Sequence, residues 1–356
     1  FYGSNIGDCF FSCTGPILGS LLAGSLTAEG GAWQLTFGMG GFGLALGLPF
    51  ALFAMFPNLL STLPKSGGWL NTTKVVLGFL ELALAFKFLS QADLVLQLHW
   101  LEREVFIAIW IAVFGAWALY LFGKLILPHD SPMKHISVGR LFVALFVTTF
   151  TIYLIPGLWG APLKILSGFT PPMTYSESPN GVGYQNAFNR TTEATSLPEN
   201  AHIGPLGITA FHDYEEGLAY AKKVNKPVLL DFTGHACANC RKMEEHVWPL
   251  PKIDRYLRNE VVLISLYVDD KKILPVKEQI LVNRSKGGTR RLKNYGHKWA
   301  NFQTEFFKIN SQPYYVLLNS DGTKILNQAV GYTPNENEYA QFLDCGLEVF
   351  NQSVKE

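Results

Sequence analysis

One stretch decides the fold of this chain: PVLLDFTGHACANCRKMEEHVW, residues Pro227–Trp248. It opens with a short apolar run, Pro227–Thr233, which is typical of a buried strand bounded by turn residues. Cys237-Ala238-Asn239-Cys240 follows and begins a helix, predicted over Cys240–Trp248, that stops at Pro249. This order of strand, CxxC and helix predicts an α/β domain with a reactive cysteine pair.

The position of the two cysteines favours redox chemistry. A thiol at a helix N-terminus meets unpaired N–H groups and the positive end of the helix dipole, which stabilise a thiolate. The spacing lets the second thiol attack a mixed disulfide formed by the first. A zinc site is the alternative, but it needs two further ligands, and His235 and His246 do not complete a recognised set. We therefore predict thiol–disulfide exchange, with no metal and no cofactor.

Alternating helices and strands surround this stretch from residue 206 to residue 356. We predict two flanking helices and three further strands, with ranges Asp213–Asn225, Asn335–Phe350, Val261–Val268, Tyr314–Leu318 and Lys324–Val330. About 150 residues in this order suit a compact α/β domain built on one central sheet.

The N-terminal part has the composition of a membrane protein. The whole chain is 48% hydrophobic and 16% charged, whereas soluble proteins carry about 25% charged residues. Residues 1–160 hold 14 of the 57 charged residues. We predict a helical transmembrane domain over residues 1–160 with five spans, namely Asp8–Leu26, Trp33–Phe56, Trp69–Leu89, Val105–Leu125 and Val138–Leu158. The lipid bilayer is thus an expected partner, and the net charge of +1 argues against nucleic acid.

Basic residues in the short loops indicate the orientation of the spans. Lys65, Lys74, Lys124, Lys134 and Arg140 lie in or beside two of the loops, which we assign to the cytoplasmic side. Five spans then place the C-terminal domain outside the cytoplasm. Residues 161–205 are rich in Pro, Ser, Thr, Asn and Gly without apolar periodicity, and they predict a flexible extracytoplasmic linker.

Residues Pro227–Trp248 resemble the active-site segment of the thioredoxin fold. The resemblance implies that Asp231, six residues before Cys237, is a buried acid that assists proton transfer. It also implies that Pro313, in Ser311-Gln312-Pro313-Tyr314, is a cis-proline beside the disulfide. The chain departs from the family at Ala236, where thioredoxins often have Trp, which leaves the reduction potential and the partner surface open.

With its membrane part, the chain resembles the C-terminal part of a DsbD-type thiol:disulfide interchange protein. In that family an eight-span domain passes electrons from cytoplasmic thioredoxin to an extracytoplasmic thioredoxin-like domain. The resemblance implies that Cys13 is the second membrane redox cysteine and that Glu244 tunes the active-site cysteine. It further implies a multi-pass protein of the bacterial inner membrane that reduces periplasmic proteins, cytochrome c assembly included. Earlier spans and the partner of Cys13 are expected upstream of residue 1.

Two other functions stay open at this stage. One is a membrane-anchored thioredoxin-like reductase for cytochrome c maturation, in which Cys13 would be dispensable. The other is a transporter with a redox-regulated soluble domain, which Glu81 in the third span would support as an ion site. Cys9 is a weaker redox candidate than Cys13, and we expect Cys345 to be a packed thiol. The basic segment 284–298 is expected to be a solvated loop or a docking surface, with basic residues Lys286, Arg290, Arg291, Lys293 and Lys298.

Overall fold

The structure is a computed structural model that describes residues 68–128, 130, 135–178, 197–283 and 288–353, with isolated positions between 36 and 55. The first predicted span and most of the second lie outside the described residues. Cys9 and Cys13 are therefore also outside them.

In the described part of the chain, three apolar helices long enough to cross a membrane precede the C-terminal domain. They are α1 (Gly68–Leu96), α2 (Arg103–Leu121) and α3 (Val138–Leu154), which a 3-10 turn continues to Trp159. They correspond to the third, fourth and fifth predicted spans. Helix α1 extends to Leu96 rather than to Leu89 as predicted. Its 29 residues give a length of about 44 Å, so α1 exceeds the roughly 30 Å hydrocarbon core of a bilayer.

Aromatic side chains form the interface between the three helices. Trp110 packs against Phe114 with ring centroids 5.4 Å apart, and Phe114 meets Phe150 of α3 at 4.7 Å. The indole nitrogen of Trp110 donates to the carbonyl oxygen of Ala83 in α1 at 3.1 Å. The outward faces of the helices carry exposed apolar side chains such as Phe142 and Phe146, as a lipid-facing surface requires.

Residues 161–178, which we call the platform, pack on the ends of these helices. Arg103 is buried, and its guanidinium donates to the Thr170 hydroxyl at 3.0 Å and to the Pro171 carbonyl at 2.6 Å. The Tyr175 hydroxyl donates to the Asp93 carboxylate at 2.7 Å. This ordered stretch differs from the flexible linker predicted over 161–205, because composition does not show that a buried arginine and a buried aspartate hold the segment. Residues 179–196 are outside the described part of the chain.

The C-terminal domain is built on a five-stranded sheet with the order β1-β2-β4-β3-β7. Its strands are β1 (His202–Ile203), β2 (Thr209–Phe211), β3 (Val228–Thr233), β4 (Val262–Tyr267) and β7 (Tyr314–Leu318). Strand β3 pairs in parallel with β4 and antiparallel with β7. All six residues of β3 are buried, which explains its continuous apolar sequence.

Helices cover both faces of this sheet, and a separate core lies on each face. The helices are α4 (Tyr214–Val224), α5 (Ala238–Lys242), α6 (Pro251–Arg255), α7 (Tyr295–Phe307) and α8 (Glu336–Ser353). A π-helical turn, Met243–Val247, continues α5, so the helix predicted over Cys240–Trp248 is present with a change of pitch. Two helices, α6 and α7, were not predicted.

Two regions differ from the sequence-based expectation. The strand predicted over Lys324–Val330 is not continuous and pairs with β7 at two isolated bridges, Leu318–Ile325 and Tyr315–Val330. The pairing register changes by two residues between the bridges, and the Asn327 amide there donates to the Phe342 carbonyl at 2.6 Å. The segment expected as a solvated basic loop includes a hairpin strand, β6 (Thr289–Arg291), paired with β5 (Leu281–Asn283).

Candidate redox site

Cys237 and Cys240 form a disulfide at the start of α5, with Cα atoms 5.3 Å apart. Cys237 is the N-cap residue, and its Sγ accepts a hydrogen bond from the Cys240 backbone N–H at 3.2 Å. Cys237 is partly exposed, whereas only 1% of the Cys240 surface is exposed. The two sulfurs are therefore chemically distinct, since an external partner can reach Cys237 more easily than Cys240.

A buried group of charged side chains lies behind the disulfide. Asp231 is in the middle of β3, and Glu244 follows α5 by two residues; both are buried. Arg241, also buried, pairs with Glu244 at 2.8 Å from Nη2 to Oε1 and donates to the Thr233 hydroxyl at 3.3 Å. Asp231 accepts a hydrogen bond from the Ser265 hydroxyl at 3.2 Å. The site thus combines two carboxyl groups with one guanidinium next to the cysteine pair.

Burial changes the protonation of both acids. It raises the pKa of Asp231 to about 7, against the opposing effects of Arg241 and the Ser265 hydrogen bond. Burial likewise raises the pKa of Glu244 to about 8, and Arg241 again opposes the increase. Carboxyl groups with pKa values near neutrality can accept and release protons at physiological pH.

Asp269 positions the loop that leads into the cysteine pair. Its carboxylate accepts hydrogen bonds from the backbone N–H groups of His235 at 2.8 Å and Ala236 at 3.0 Å. The His235 ring stacks on Tyr267 with centroids 4.2 Å apart. Sequence reasoning missed Asp269, and its place directly after the predicted second strand was the available signal.

The loop before β7 lies at the same edge of the sheet as the disulfide. The Gln312–Pro313 peptide bond is cis, as the thioredoxin resemblance implied. Tyr314 pairs with Phe232 in the β3–β7 register, so Pro313 lies beside the end of β3 where the cysteine loop begins. Gln303 of α7, fully buried, donates to the Ser311 carbonyl at 2.9 Å and accepts from the Gln312 amide at 2.9 Å. Sequence reasoning also missed Gln303.

The cysteine loop contacts the platform. A Cβ atom built on Gly168 would lie 2.5 Å from the Ala238 carbonyl oxygen, so the two backbones are in close contact. The Gln97 amide nitrogen, just beyond α1, lies 3.4 Å from the His235 ring nitrogen. The cysteine loop thus faces the platform and the residues just after α1.

Other residues singled out in the sequence lie away from this site. Glu81 is on the exposed face of α1. The expectation that Cys345 is packed is wrong, because this free cysteine is exposed. The buried residues of α8 include Phe342, Leu343 and Gly346, and Cys345 falls outside that stripe. Lys298 of the basic segment bonds Glu278 at 2.9 Å.

Residues 214–346 match the sequence model of a family described as a thioredoxin-like domain. The chain is also similar to proteins named thiol:disulfide interchange protein DsbD. It is 26% identical to that of Vibrio vulnificus over 72% of this chain and 35% of the relative. Identity to DsbD 2 of Pseudomonas aeruginosa is 28%, over 70% of this chain and 37% of the relative. Identity to DsbD of Cronobacter sakazakii is 28%, over 72% of this chain and 36% of the relative. The chain fits a DsbD-type protein.

The match to DsbD extends beyond the thioredoxin-like domain. The aligned 257 residues exceed the length of residues 206–356, so the similarity includes part of the preceding chain. The chain spans about a third of the length of these DsbD relatives, since 35% of the Vibrio vulnificus protein is aligned. The fold agrees with this assignment: three apolar helices precede a thioredoxin-like α/β domain.

Proposed function

We propose that this chain forms the C-terminal part of a membrane thiol:disulfide reductase. The DsbD relatives and the thioredoxin-like domain support a disulfide oxidoreductase. The observation that carries the proposal is the Cys237–Cys240 disulfide at a helix start, with Cys237 partly exposed and Cys240 buried. The buried charged cluster of Asp231, Arg241 and Glu244 comes from β3 and from the helical residues that follow Cys240.

The reduced pair transfers two electrons in two exchange steps. The Cys237 thiolate attacks an acceptor disulfide, so that one acceptor sulfur leaves as a thiolate and a mixed disulfide forms. The Cys240 thiolate then attacks the Cys237 sulfur, which breaks the mixed disulfide and releases the second acceptor sulfur. The acceptor gains two electrons, and Cys237 and Cys240 return to the disulfide state.

Asp231 and Glu244 act on the proton of Cys240 in this scheme. Cys240 must lose its proton before it attacks, and the proton needs an acceptor within the buried site. The raised pKa values of Asp231, about 7, and Glu244, about 8, suit that exchange. Arg241 opposes the rise of both pKa values. Pro313 lies beside the end of β3, at the same edge of the sheet as the disulfide, where the acceptor would approach.

Electrons reach this site from the membrane domain. We propose that cytoplasmic thioredoxin reduces a membrane disulfide formed by Cys13 and a second cysteine, which in turn reduces Cys237–Cys240. Residues 1–160 would be the membrane domain of a multi-pass protein in a bacterial inner membrane, and residues 206–356 would lie in the periplasm. The acceptors would be periplasmic disulfide-containing proteins, including those of cytochrome c assembly.

A thiol-trapping experiment in living cells tests this route. Cells that express the Cys13→Ser variant are quenched with acid, and free thiols are labelled with a maleimide that increases mass. We expect the Cys237–Cys240 pair to change from mostly reduced in the parent to mostly oxidised in the variant, because its electron supply is lost.

The matched control is Cys9→Ser, which removes a neighbouring thiol from the same predicted span. We expect this variant to keep the pair reduced. A reduced pair in Cys13→Ser cells would overturn the membrane route and favour a domain that is merely anchored by the helices.

A further inference from the structure

The backbones of the platform and of the thioredoxin-like domain are in close contact at the redox site itself. Gly168 has a φ of +71°, and any Cβ there would lie 2.5 Å from the oxygen and 3.2 Å from the carbonyl carbon of Ala238. Ala238 stands between the two redox cysteines. The positive φ angle of residue 168 and the lack of space for a Cβ atom there therefore both require glycine at this position.

The platform is held in a defined position relative to the membrane helices. Arg103 binds it at Thr170 and Pro171, and the Arg103 backbone N–H donates to the Tyr175 carbonyl at 3.0 Å. Glu104, one residue further along α2, accepts from the Ser176 hydroxyl and from the Glu177 backbone N–H. Because these hydrogen bonds fix the platform, Gly168 keeps a constant position relative to α1 and α2.

A narrow gap continues the same interface beside Gly168. It is lined from three sides by α1, by the platform and by the cysteine loop, with lining residues that include Gln91, Leu94, Pro171, His235, Ala236 and Arg241. The small side chain of Ala236 faces this gap, at the position where thioredoxins often carry Trp. The gap therefore separates the platform and α1 from the residues that lead into the disulfide.

We infer that the platform is the docking site at which the cysteine pair receives electrons from the membrane domain, and that Gly168 is the residue that permits this approach. The inference rests on the proposed function. Gly168 positions the reacting domain and takes no part in the chemistry. A docked state of this kind brings the start of α5 to the membrane helices for reduction, and release leaves the partly exposed Cys237 free to meet acceptors.

The test compares re-reduction of the pair in cells that express variants of the protein. Cys237–Cys240 is oxidised with a pulse of diamide, and its return to the dithiol is followed by trapping. We expect Gly168→Ala to slow re-reduction roughly tenfold, which corresponds to about 1.4 kcal/mol. Gly288→Ala is the matched control, because Gly288 has a φ of +84° and no atom within 4 Å of an added Cβ.

A second pair of variants avoids backbone strain. Gln91→Trp adds bulk to the gap from a regular position on α1, whereas Leu89→Trp adds the same side chain at a site that is 55% exposed. We expect Gln91→Trp to slow re-reduction and Leu89→Trp to leave it unchanged. Dithiothreitol should reduce the disulfide at the parental rate in every purified full-chain variant, since the chemistry of the pair is intact.

Parental re-reduction in both Gly168→Ala and Gln91→Trp would overturn the docking inference, as would equal slowing in each variant and its control. Slower reduction by dithiothreitol would also overturn it, because the defect would then lie in the cysteine pair. The Cys13→Ser result separates the two proposals. Suppose that the pair is oxidised in Cys13→Ser cells while Gly168→Ala and Gln91→Trp cells re-reduce it at the parental rate. The membrane route then stands, and only the docking site is rejected.

Discussion

Two buried arginines, one in each half of the molecule, have different partners. Arg103 is 2% exposed and Arg241 is 4% exposed. The side chain of Arg103 donates to neutral oxygens, those of Thr170, Pro171 and Ala161. Arg241 pairs with the carboxylate of Glu244 and lies in the field of Asp231.

The difference separates a structural arginine from one that is coupled to chemistry. Neutral acceptors do not titrate, and the carboxylates of Glu104 and Glu245 act on Arg103 only through their field. The contacts of Arg103 should therefore depend on pH less than those of Arg241. Carboxyl groups do titrate, so the balance of charge around Arg241 should change with pH and with the proton of Cys240. Each of the following measurements depends on that distinction.

The largest effect is expected for Arg241→Met. Without the guanidinium, Asp231 and Glu244 are two buried acids without a positive partner, which costs about 3–5 kcal/mol of domain stability at pH 8. At pH 5 both acids are protonated in the folded state, so the loss should be smaller. Amide hydrogen exchange of β3 in the full chain measures the loss of stability at pH 5 and at pH 8, once it is corrected for the pH dependence of the intrinsic exchange rate.

Arg241→Lys is the control for this prediction, because lysine keeps the charge and should recover part of the stability. Equal losses at pH 5 and pH 8 would show that Arg241 only fills space.

A smaller effect, with a weaker pH dependence, is expected for Arg103→Met. The substitution leaves the Pro171 carbonyl and the Thr170 hydroxyl without their donor, at a cost of about 2–3 kcal/mol. The expected result is a lower thermal stability in detergent and faster proteolysis within residues 161–178. A loss that changes between pH 5 and pH 8 by as much as that of Arg241→Met would contradict the comparison, and Arg103→Lys should give an intermediate value.

The smallest of the three effects concerns the pH dependence of the unmodified protein. Burial raises the pKa of Glu244 to about 8, so the folded state keeps a proton that the unfolded state releases above its lower pKa. Stability is therefore greatest in acid and falls as the pH rises through about 8. The free energy of unfolding should fall between pH 6 and pH 8, and Glu244→Gln should remove roughly 2 kcal/mol of that fall.

Denaturant titrations of the full chain at several pH values measure that slope. The matched control is Glu245→Gln, at the half-buried neighbouring position, which should leave the slope in place. Part of the slope should remain in Glu244→Gln, because the raised pKa of Asp231, about 7, contributes to the same pH range. A slope that is undiminished in Glu244→Gln would contradict the prediction.

The parts of the fold that local sequence patterns encode were predicted well. Continuous apolar runs identified β3, β4 and β7, and the three apolar helices followed from length and composition. Helix α7 was missed because its sequence mixes aromatic and polar residues, and only tertiary contacts such as the burial of Gln303 show its role. The platform was missed for a similar reason, since Arg103 and Asp93 are distant in sequence from the residues they hold.

For the candidate site, spacing and resemblance identified the cysteines, Asp231, Glu244 and Pro313 as proposals, but not the residues that support them. Asp269 and Arg241 carry no motif of their own. Their roles depend on which backbone N–H groups and carboxylates the fold brings to them, and that information is absent from local sequence.

The exposed thiol of Cys345 has a practical consequence for every trapping experiment above. It lies on α8, it is free, and it does not belong to the cysteine pair. A maleimide will therefore add one constant mass increment to each chain, whatever the redox state of Cys237 and Cys240. That increment can serve as an internal standard for labelling efficiency, and Cys345→Ser cells would show on the same gel the pattern that the other four cysteines give without it.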